Sequence, residues 1–269
     1  MAQTLTQIKR LLAERGLRPK KRFGQNFLHD QNQMQRVVAA AQIEPGQLVL
    51  EVGAGTGSLS LRLLETAARL IAVEIDHDLE PILRHCLGQR AVLHIGDILA
   101  SKHQVSPAVV QLIGERPFKL VANLPYSVAS PLVANLVTAH PHMTAAVVMV
   151  QREVADRLLA RPGGKSFGPL GVMVQAMCEV KRVGVLAPSC FWPPPQVESA
   201  IIALHRRDKP LIDRPDQLLA MVQRLFGQRR KQLGTILGRS VELPDGIASD
   251  LRPENLSVRQ IVELARYLG

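Results

Sequence analysis

Asn123, Leu124, Pro125 and Tyr126 follow directly after the apolar run FKLVA (118–122). The side-chain oxygen of Asn123 and the backbone carbonyl of Leu124 could accept both N–H bonds of an exocyclic adenine amine, while Pro125 stiffens the turn. Accepting both hydrogens frees the nitrogen lone pair, which is otherwise delocalised into the ring. Tyr126 could stack on the same base, a contact worth about 1–3 kcal/mol. By themselves these residues also fit a strand-terminating turn with a packed tyrosine. A methyltransferase-like pocket in the first half of the chain would favour an acceptor site for an adenine amine.

A second group of residues has the composition of a cofactor loop. Gly53 and Gly55 belong to GAGTG (53–57), which follows an apolar run and opens a helical pattern. Glycines at such a turn let a ligand approach the backbone, and the amides of the following helix point at it. The dinucleotide fingerprint requires a sixth-position glycine, but Ser58 occupies that position. A nicotinamide cofactor is therefore disfavoured.

Two acidic residues stand at the ends of the next apolar runs. Glu74 lies 21 residues beyond Gly53, where an acid can accept both hydroxyls of a ribose. Asp97, in IGD, could accept an adenine amino group. Either acid alone could instead be solvated or cap a helix. Together with GAGTG, the two acids make three features at the carboxyl edge of one sheet, and this favours a ligand site. Their spacing is similar to that of the S-adenosylmethionine pocket of seven-stranded methyltransferases.

Short apolar runs alternate with amphipathic stretches through the first half of the chain, which predicts a doubly wound α/β domain with a parallel sheet. After residue 151, strands at 181–187 and 197–204 lack a full helix between them and are expected to add to the sheet edge in antiparallel fashion. From about Asp208 the pattern is helical, with SVRQ (257–260) as a capping box. One face of this region is expected to be buried and contains Leu218, Leu219, Val222, Leu225 and Phe226. The predicted strands of the parallel part are 47–52, 69–75, 91–95, 118–122 and 145–150.

The basic residues are concentrated in two stretches. The net charge is +10; residues 1–36 carry eight Lys or Arg and two acids, and residues 206–239 carry nine and three. Clustered cations favour a nucleic-acid partner, because phosphates must be neutralised together. Two solvated basic surfaces are the alternative.

Other residue types indicate where the protein works. Cys86, Cys178 and Cys190 lack the spacing of a disulfide framework or zinc site, which fits a reducing cytoplasm. No apolar stretch approaches the ~18 residues of a membrane span, so no membrane association is expected. His140 and His142 lack further ligands at metal spacing, and no metal site is predicted.

Nine longer segments have a combination of motifs that is specific to one family. They are PKKRFGQNFL (19–28), LEVGAGTG (50–57), VEID (73–76), GDIL (96–99), NLPYSVASPL (123–132), VMVQREVADRL (148–158), FWPPPQVESA (191–200), FGQRRKQL (226–233) and ENLSVRQIVELA (255–265). These segments resemble the ribosomal RNA adenine dimethyltransferases, and within that family the bacterial enzymes of the small subunit. The resemblance implies a Rossmann-like seven-stranded methyltransferase domain at 1–208, which includes the basic N-terminal arm, and a helical RNA-docking domain at 209–269.

The resemblance also implies ligands and roles for individual residues. The cofactor would be S-adenosylmethionine, leaving S-adenosylhomocysteine, without a metal. In this family two adjacent adenosines near the end of small-subunit (16S) rRNA each receive two methyl groups. Cofactor contacts are expected at Asn26, Leu28, Gly53, Gly55, Glu74, Asp97 and Asn123. The base would be held by Asn123, Leu124, Pro125 and Tyr126, with Phe191 as a second aromatic face. Phosphates would be met by Lys20, Lys21, Arg22, Arg229, Arg230 and Lys231.

Three alternatives remain at this point. A large-subunit methylase of the macrolide-resistance type shares NLPY-like and GQNF-like features, but the PPP-x-V and ENLS segments favour the small-subunit enzyme. DNA adenine methyltransferases usually have two prolines in the acceptor motif, whereas this chain has one. The third alternative is an assembly factor that binds immature 30S subunits and whose catalysis is secondary.

The family usually has Asn after NLPY, and this chain has Ser127. A cytoplasmic monomer is expected.

Overall fold

The protein is described by a computed structural model that covers residues 3–66 and 68–269. The strands are β1 (Phe27–Leu28), β2 (Leu48–Val52), β3 (Arg69–Glu74), β4 (Ala91–Ile95), β5 (Leu99–Ser101), β6 (Gln104–Val105), β7 (Phe118–Asn123), β8 (Met143–Gln151), β9 (Cys178–Leu186), β10 (Phe191–Trp192) and β11 (Ser199–Arg206). The helices are α1 (Leu5–Ala13), α2 (Gln31–Ala41), α3 (Ser58–Leu64), α4 (Glu80–Leu87), α5 (Pro107–Ile113), α6 (Tyr126–Ala139), α7 (Arg152–Leu158), α8 (Pro169–Met177), α9 (Pro215–Gly227), α10 (Leu233–Leu237) and α11 (Val258–Leu268).

Seven strands form one sheet in the order β4-β3-β2-β7-β8-β11-β9. The first five run parallel, and β11 is antiparallel to both β8 and β9. This confirms the predicted parallel sheet with antiparallel strands added at its edge. The order reverses next to β2, so the carboxyl ends of β2, β3 and β7 lie side by side, where ligands bind in sheets of this kind.

The central strands are apolar on both faces because helices cover both faces. In β2, Leu48, Leu50 and Val52 pack into the core layer that contains α5 to α8, while Val49 packs into the layer that contains α1 to α4. Successive side chains of a strand point to opposite faces, so a continuous apolar run fills both layers.

The three C-terminal helices extend the first of these layers. Leu218, Val222 and Leu225 of α9 are buried in the same hydrophobic core as α8. Leu219, which we expected on the buried face, is 41% exposed and points away from it. The capping box is confirmed: Ser257 accepts from the backbone of Gln260, whose side chain accepts from the Ser257 N–H. A domain boundary at residue 208 stays a prediction.

Within residues 3–66 and 68–269, no helix is long and apolar enough to cross a membrane.

Candidate active site

The glycine-rich loop after β2 lies directly against residues 123–126 at the end of β7. Gly53, Gly55 and Gly57 all have positive φ angles, of 77°, 62° and 87°, which L side chains rarely adopt. A Cβ on Gly53 would lie 3.1 Å from Cδ of Pro125. Glycine is therefore needed both for the turn and for the close approach of the two loops.

Glu74 anchors the glycine-rich loop from the end of β3. Its carboxylate accepts hydrogen bonds from the N–H of Gly55 (2.8 Å) and the N–H of Asp76 (3.0 Å). Only 4% of the residue is exposed, and this burial raises the pKa of the Glu74 carboxyl even though both hydrogen bonds favour the charged form. Each carboxylate oxygen has a second lone pair that a ligand hydroxyl could use.

Asn123 and Leu124 are positioned by hydrogen bonds to other parts of the chain. The Nδ2 of Asn123 donates to the backbone carbonyl of Asn26 at 2.9 Å, and the N–H of Leu124 donates to the carbonyl of Met149 at 3.2 Å. Because Nδ2 is the donor, Oδ1 of Asn123 is the amide atom that can accept from a ligand.

The part of the N-terminal arm that precedes α2, residues 20–28, lies across this site. Gln25 donates to Oδ2 of Asp76 at 2.7 Å, and Lys20 donates to Oδ1 of the same carboxylate at 2.6 Å. Next to it, β1 pairs with β10, so that Phe27 lies opposite Trp192. The arm is therefore tied to β10 and to the turn that follows β3.

Two adjoining cavities occupy the carboxyl edge of the sheet. The first, with about 700 Å³ of empty space, is lined by the arm, the glycine-rich loop, Glu74 and residues 123–126. The second, of about 550 Å³, is lined by Asp97, Ser127 and parts of β2 and β3. Gly53, Ile75 and Pro125 line both cavities, so the two adjoin one another, and together they are called the cleft below.

Comparison with known proteins decides the family. The model of a family described as "Ribosomal RNA adenine dimethylase" matches residues 16–269. The chain belongs to the ribosomal RNA adenine dimethylase family. It is an rRNA adenine dimethyltransferase, as the resemblance predicted, and the sheet topology confirms the Rossmann-like methyltransferase fold.

Individual relatives agree with this assignment. The dimethylase is 38% identical to "Ribosomal RNA small subunit methyltransferase A" of Streptomyces griseus, over 97% of this chain and 93% of that protein. Its structure is similar to that of a dimethyladenosine transferase from Plasmodium falciparum, with a TM-score of 0.74, 26% identity and coverage of 88% of this chain and 95% of the other. The 23S rRNA methyltransferase ErmE has a TM-score of 0.69, 25% identity and coverage of 90% and 99%.

Most of the residues predicted to contact the cofactor or the target base of the dimethylase lie in this cleft. Asp97 lines the second cavity, where its Oδ1 accepts from the N–H of Leu99 at 2.9 Å. Phe191 is only 3% exposed and packs in the core near β1; its contact with the base stays a prediction. The first cavity is lined by Asn26, Leu28, Gly53, Gly55, Glu74, Asn123, Leu124, Pro125 and Tyr126.

The predicted RNA-contacting residues divide into paired and exposed ones. Lys20 forms ion pairs with Asp76 and Asp78. Arg229 pairs with Glu254 at 2.7 Å and also donates to backbone carbonyls of the loop at 164–165. The other four are exposed: Lys21, Arg22, Arg230 and Lys231.

Sequence reasoning missed a buried acid in the first cavity. Glu51 is 1% exposed, and Oγ of Ser60 donates to its Oε2 at 2.5 Å. Burial raises the pKa of the Glu51 carboxyl to about 8, with a smaller contribution from the nearby charge of Glu74. Glu51 is therefore largely protonated at neutral pH. Its position inside a buried strand was visible in LEVGAGTG, but nothing in that pattern distinguishes a cavity-lining acid from a solvated one.

Among residues 3–66 and 68–269, no group of three or more His, Cys, Asp or Glu side chains could hold a metal ion.

Proposed function

We propose that this enzyme transfers methyl groups from S-adenosylmethionine to the exocyclic amines of two adjacent adenosines in the 3′-terminal hairpin loop of small-subunit (16S) rRNA. Each adenosine receives two methyl groups, late in the assembly of the 30S subunit. The enzyme acts as a cytoplasmic monomer. The choice of subunit is supported by the relatives named small-subunit methyltransferases, which are about 38% identical over nearly the whole chain.

The observation that carries the proposal is the orientation of the Asn123 amide. The carbonyl of Asn26 accepts from Nδ2 at 2.9 Å, so Oδ1 is the amide atom that can accept from a ligand. Oδ1 and the carbonyl of Leu124 follow one another along the chain at the end of β7, beside the first cavity. Two adjacent acceptors fit an amine with two N–H bonds, whereas a hydroxyl would leave one acceptor unused.

The cleft also fits S-adenosylmethionine. The positive-φ turn at Gly53 and Gly55 forms part of the wall of the first cavity, and the lack of side chains lets a ligand approach its backbone. Glu74 would accept the ribose hydroxyls, and Asp97 in the adjoining cavity would accept the adenine amino group. Asn26 and Leu28 would cover the bound cofactor from the arm.

Catalysis then requires mainly alignment. When bound, S-adenosylmethionine supplies a methyl group on a positively charged sulfur, which is already a good leaving group. In the first transfer, Oδ1 of Asn123 and the carbonyl of Leu124 hold the two amine hydrogens and draw the nitrogen toward tetrahedral geometry, and this frees its lone pair. In the second transfer one N–H remains, and one of the two acceptors holds it. Tyr126 stacks on the base and keeps it extruded. The proton leaves the nitrogen after transfer, to water or to a carbonyl.

RNA docking is assigned to the two basic stretches. Residues 1–208 form the catalytic unit and residues 209–269 the docking unit in this proposal. The exposed Arg230 and Lys231 would position phosphates without reading bases. Lys21 and Arg22 would do the same at the mouth of the cleft, where Arg22 lines the second cavity.

One experiment separates the candidate substrates. The protein is incubated with labelled S-adenosylmethionine and either unmethylated small subunits, large-subunit RNA or duplex DNA, and the product nucleoside is identified and mapped. Dimethyladenosine at two adjacent positions of small-subunit RNA is expected. The likeness to the 23S rRNA enzyme makes large-subunit RNA the second candidate, and dimethyladenosine there alone would refute the proposal. No product on any substrate would favour an assembly factor.

A further inference from the structure

The hydroxyl of Tyr126 is held by a residue 73 positions further along the chain. Its oxygen lies 2.9 Å from Oγ of Ser199. Ser199 is 1% exposed, whereas Tyr126 is partly exposed and lines the first cavity. The tyrosine therefore reaches from the open cleft to a buried hydroxyl.

Ser199 is a rigid anchor because it begins β11. Its backbone lies opposite Gln151, the last residue of β8, and opposite Leu186, the last residue of β9. The carbonyl of the preceding Glu198 accepts from the N–H of Arg152 at 3.0 Å. Three strand ends thus fix the position of Oγ relative to the sheet.

Tyr126 itself begins α6 in the turn that contains Pro125. A tyrosine side chain has only two rotatable bonds that orient the ring, so a hydrogen bond at its far end fixes the ring at both ends. Burial raises the pKa of the Tyr126 phenol, and the phenol keeps its proton at neutral pH. Loss of either hydroxyl would leave the other without this partner.

We propose that Ser199 is a positioning residue for methyl transfer, which holds the ring of Tyr126 in the orientation that stacks on the target adenine. The inference rests on the proposed function, because it takes that adenine as the occupant of the cleft beside Tyr126. An aligned amine needs a fixed stacking surface, since a misplacement of about 1 Å can reduce a rate about 100-fold.

The test compares Ser199→Ala, Tyr126→Phe and the double variant with the parent enzyme. Each single variant removes one hydroxyl and keeps the aromatic ring. We expect kcat on unmethylated small subunits to fall about tenfold, while KM for the subunits changes less than about threefold, because the ring still stacks but is no longer oriented. The dissociation constant for S-adenosylmethionine, measured by calorimetry, should change less than about twofold. Tyr267→Phe is the matched control, because this second tyrosine is 56% exposed on α11.

The double variant distinguishes one shared interaction from two separate ones. If the two hydroxyls act only through their mutual hydrogen bond, the double variant should be no slower than either single variant. Additive losses would overturn the inference. A lower melting temperature with parent-like kcat in both single variants would also overturn it, because Ser199 would then be only structural. If Ser199→Ala does not fold, Tyr126→Phe decides, since it removes the same hydrogen bond.

Tyr126→Ala separates this inference from the proposed function. If Tyr126→Ala lowers kcat/KM about 100-fold while Ser199→Ala and Tyr126→Phe have no effect, only the positioning role of Ser199 is wrong. If Tyr126→Ala retains parent-like kcat/KM, the stacking role of Tyr126 and the role of Ser199 are both wrong.

Discussion

Glu51 makes the stability of the protein depend on pH in a direction that can be worked out in advance. Burial raises the pKa of its carboxyl from 4.5 to about 8 in the folded state. Below about pH 4.5 the group is protonated in both states. Above that pH the unfolded chain loses the proton while the folded protein keeps it, so stability falls as pH rises toward 8.

The magnitude follows from the same shift. Each pH unit between the unfolded and folded pKa values lowers the free energy of unfolding by about 1.4 kcal/mol. Between pH 5 and pH 7.5, Glu51 therefore costs the folded state about 3 kcal/mol. Glu51→Gln has nearly the same shape, still accepts a hydrogen bond from Ser60 and carries no charge in either state. The variant should gain about 3 kcal/mol relative to the parent over this range.

The assay is urea unfolding of both proteins at several pH values from 5 to 7.5. All other titrating groups are shared, so the difference between the two unfolding free energies reports Glu51 together with its interaction with Glu74. The same substitution at Glu153, whose side chain is 70% exposed, is the control for the chemical change itself. A level difference for Glu51→Gln, or one that falls as pH rises, would refute the assignment of a buried, protonated carboxyl.

Three further predictions concern the loops and the basic surface. Gly53→Ala places a Cβ 3.1 Å from the ring of Pro125 and should weaken S-adenosylmethionine binding, measured by calorimetry, about tenfold. The control is Gly46→Ala, which has a φ of 80° but no atom within 4 Å of its Cβ and should leave this binding unchanged. Equal binding by both variants would contradict the close packing of the two loops. Gln3, 5% exposed, hydrogen-bonds to the glycine-rich loop, so Gln3→Ala should cost about 1–3 kcal/mol; an unchanged melting temperature would count against this. Joint replacement of Arg230 and Lys231 by Ala should make the negative slope of log RNA affinity against log salt concentration less steep by about 1.5. An unchanged slope would show that the two side chains do not contact RNA phosphates.

The main parts of the fold and the cleft were predictable because they follow from local patterns. Glu74 and Asn123 end buried apolar runs, and parallel strands bring their carboxyl ends to one edge of a sheet. The structure places both residues beside the first cavity. The positive-φ glycines lie at the turn that the spacing of GAGTG predicted.

The contacts that hold these residues could not be predicted from local patterns, because they join distant parts of the chain. Asn123 is bonded to Asn26, 97 positions away, and Tyr126 to Ser199. The charge pattern identified Lys20 as basic but could not reveal its ion pairs with acids after β3. Leu219 was misplaced because spacing alone does not define the limits of the buried face of α9.

The proposed role of Asn123 is tested most directly by the rate of methyl transfer by Asn123→Ala, measured in a single turnover on pre-bound, unmethylated small subunits. The variant loses the side-chain oxygen that we propose accepts from the amine, and Asn32→Ala, on the exposed side of α2, is the control. We expect a fall of at least about 100-fold in rate, with an affinity for the subunits near that of the parent. A rate within about threefold of the parent would contradict the role of Asn123 as the acceptor of the adenine amine.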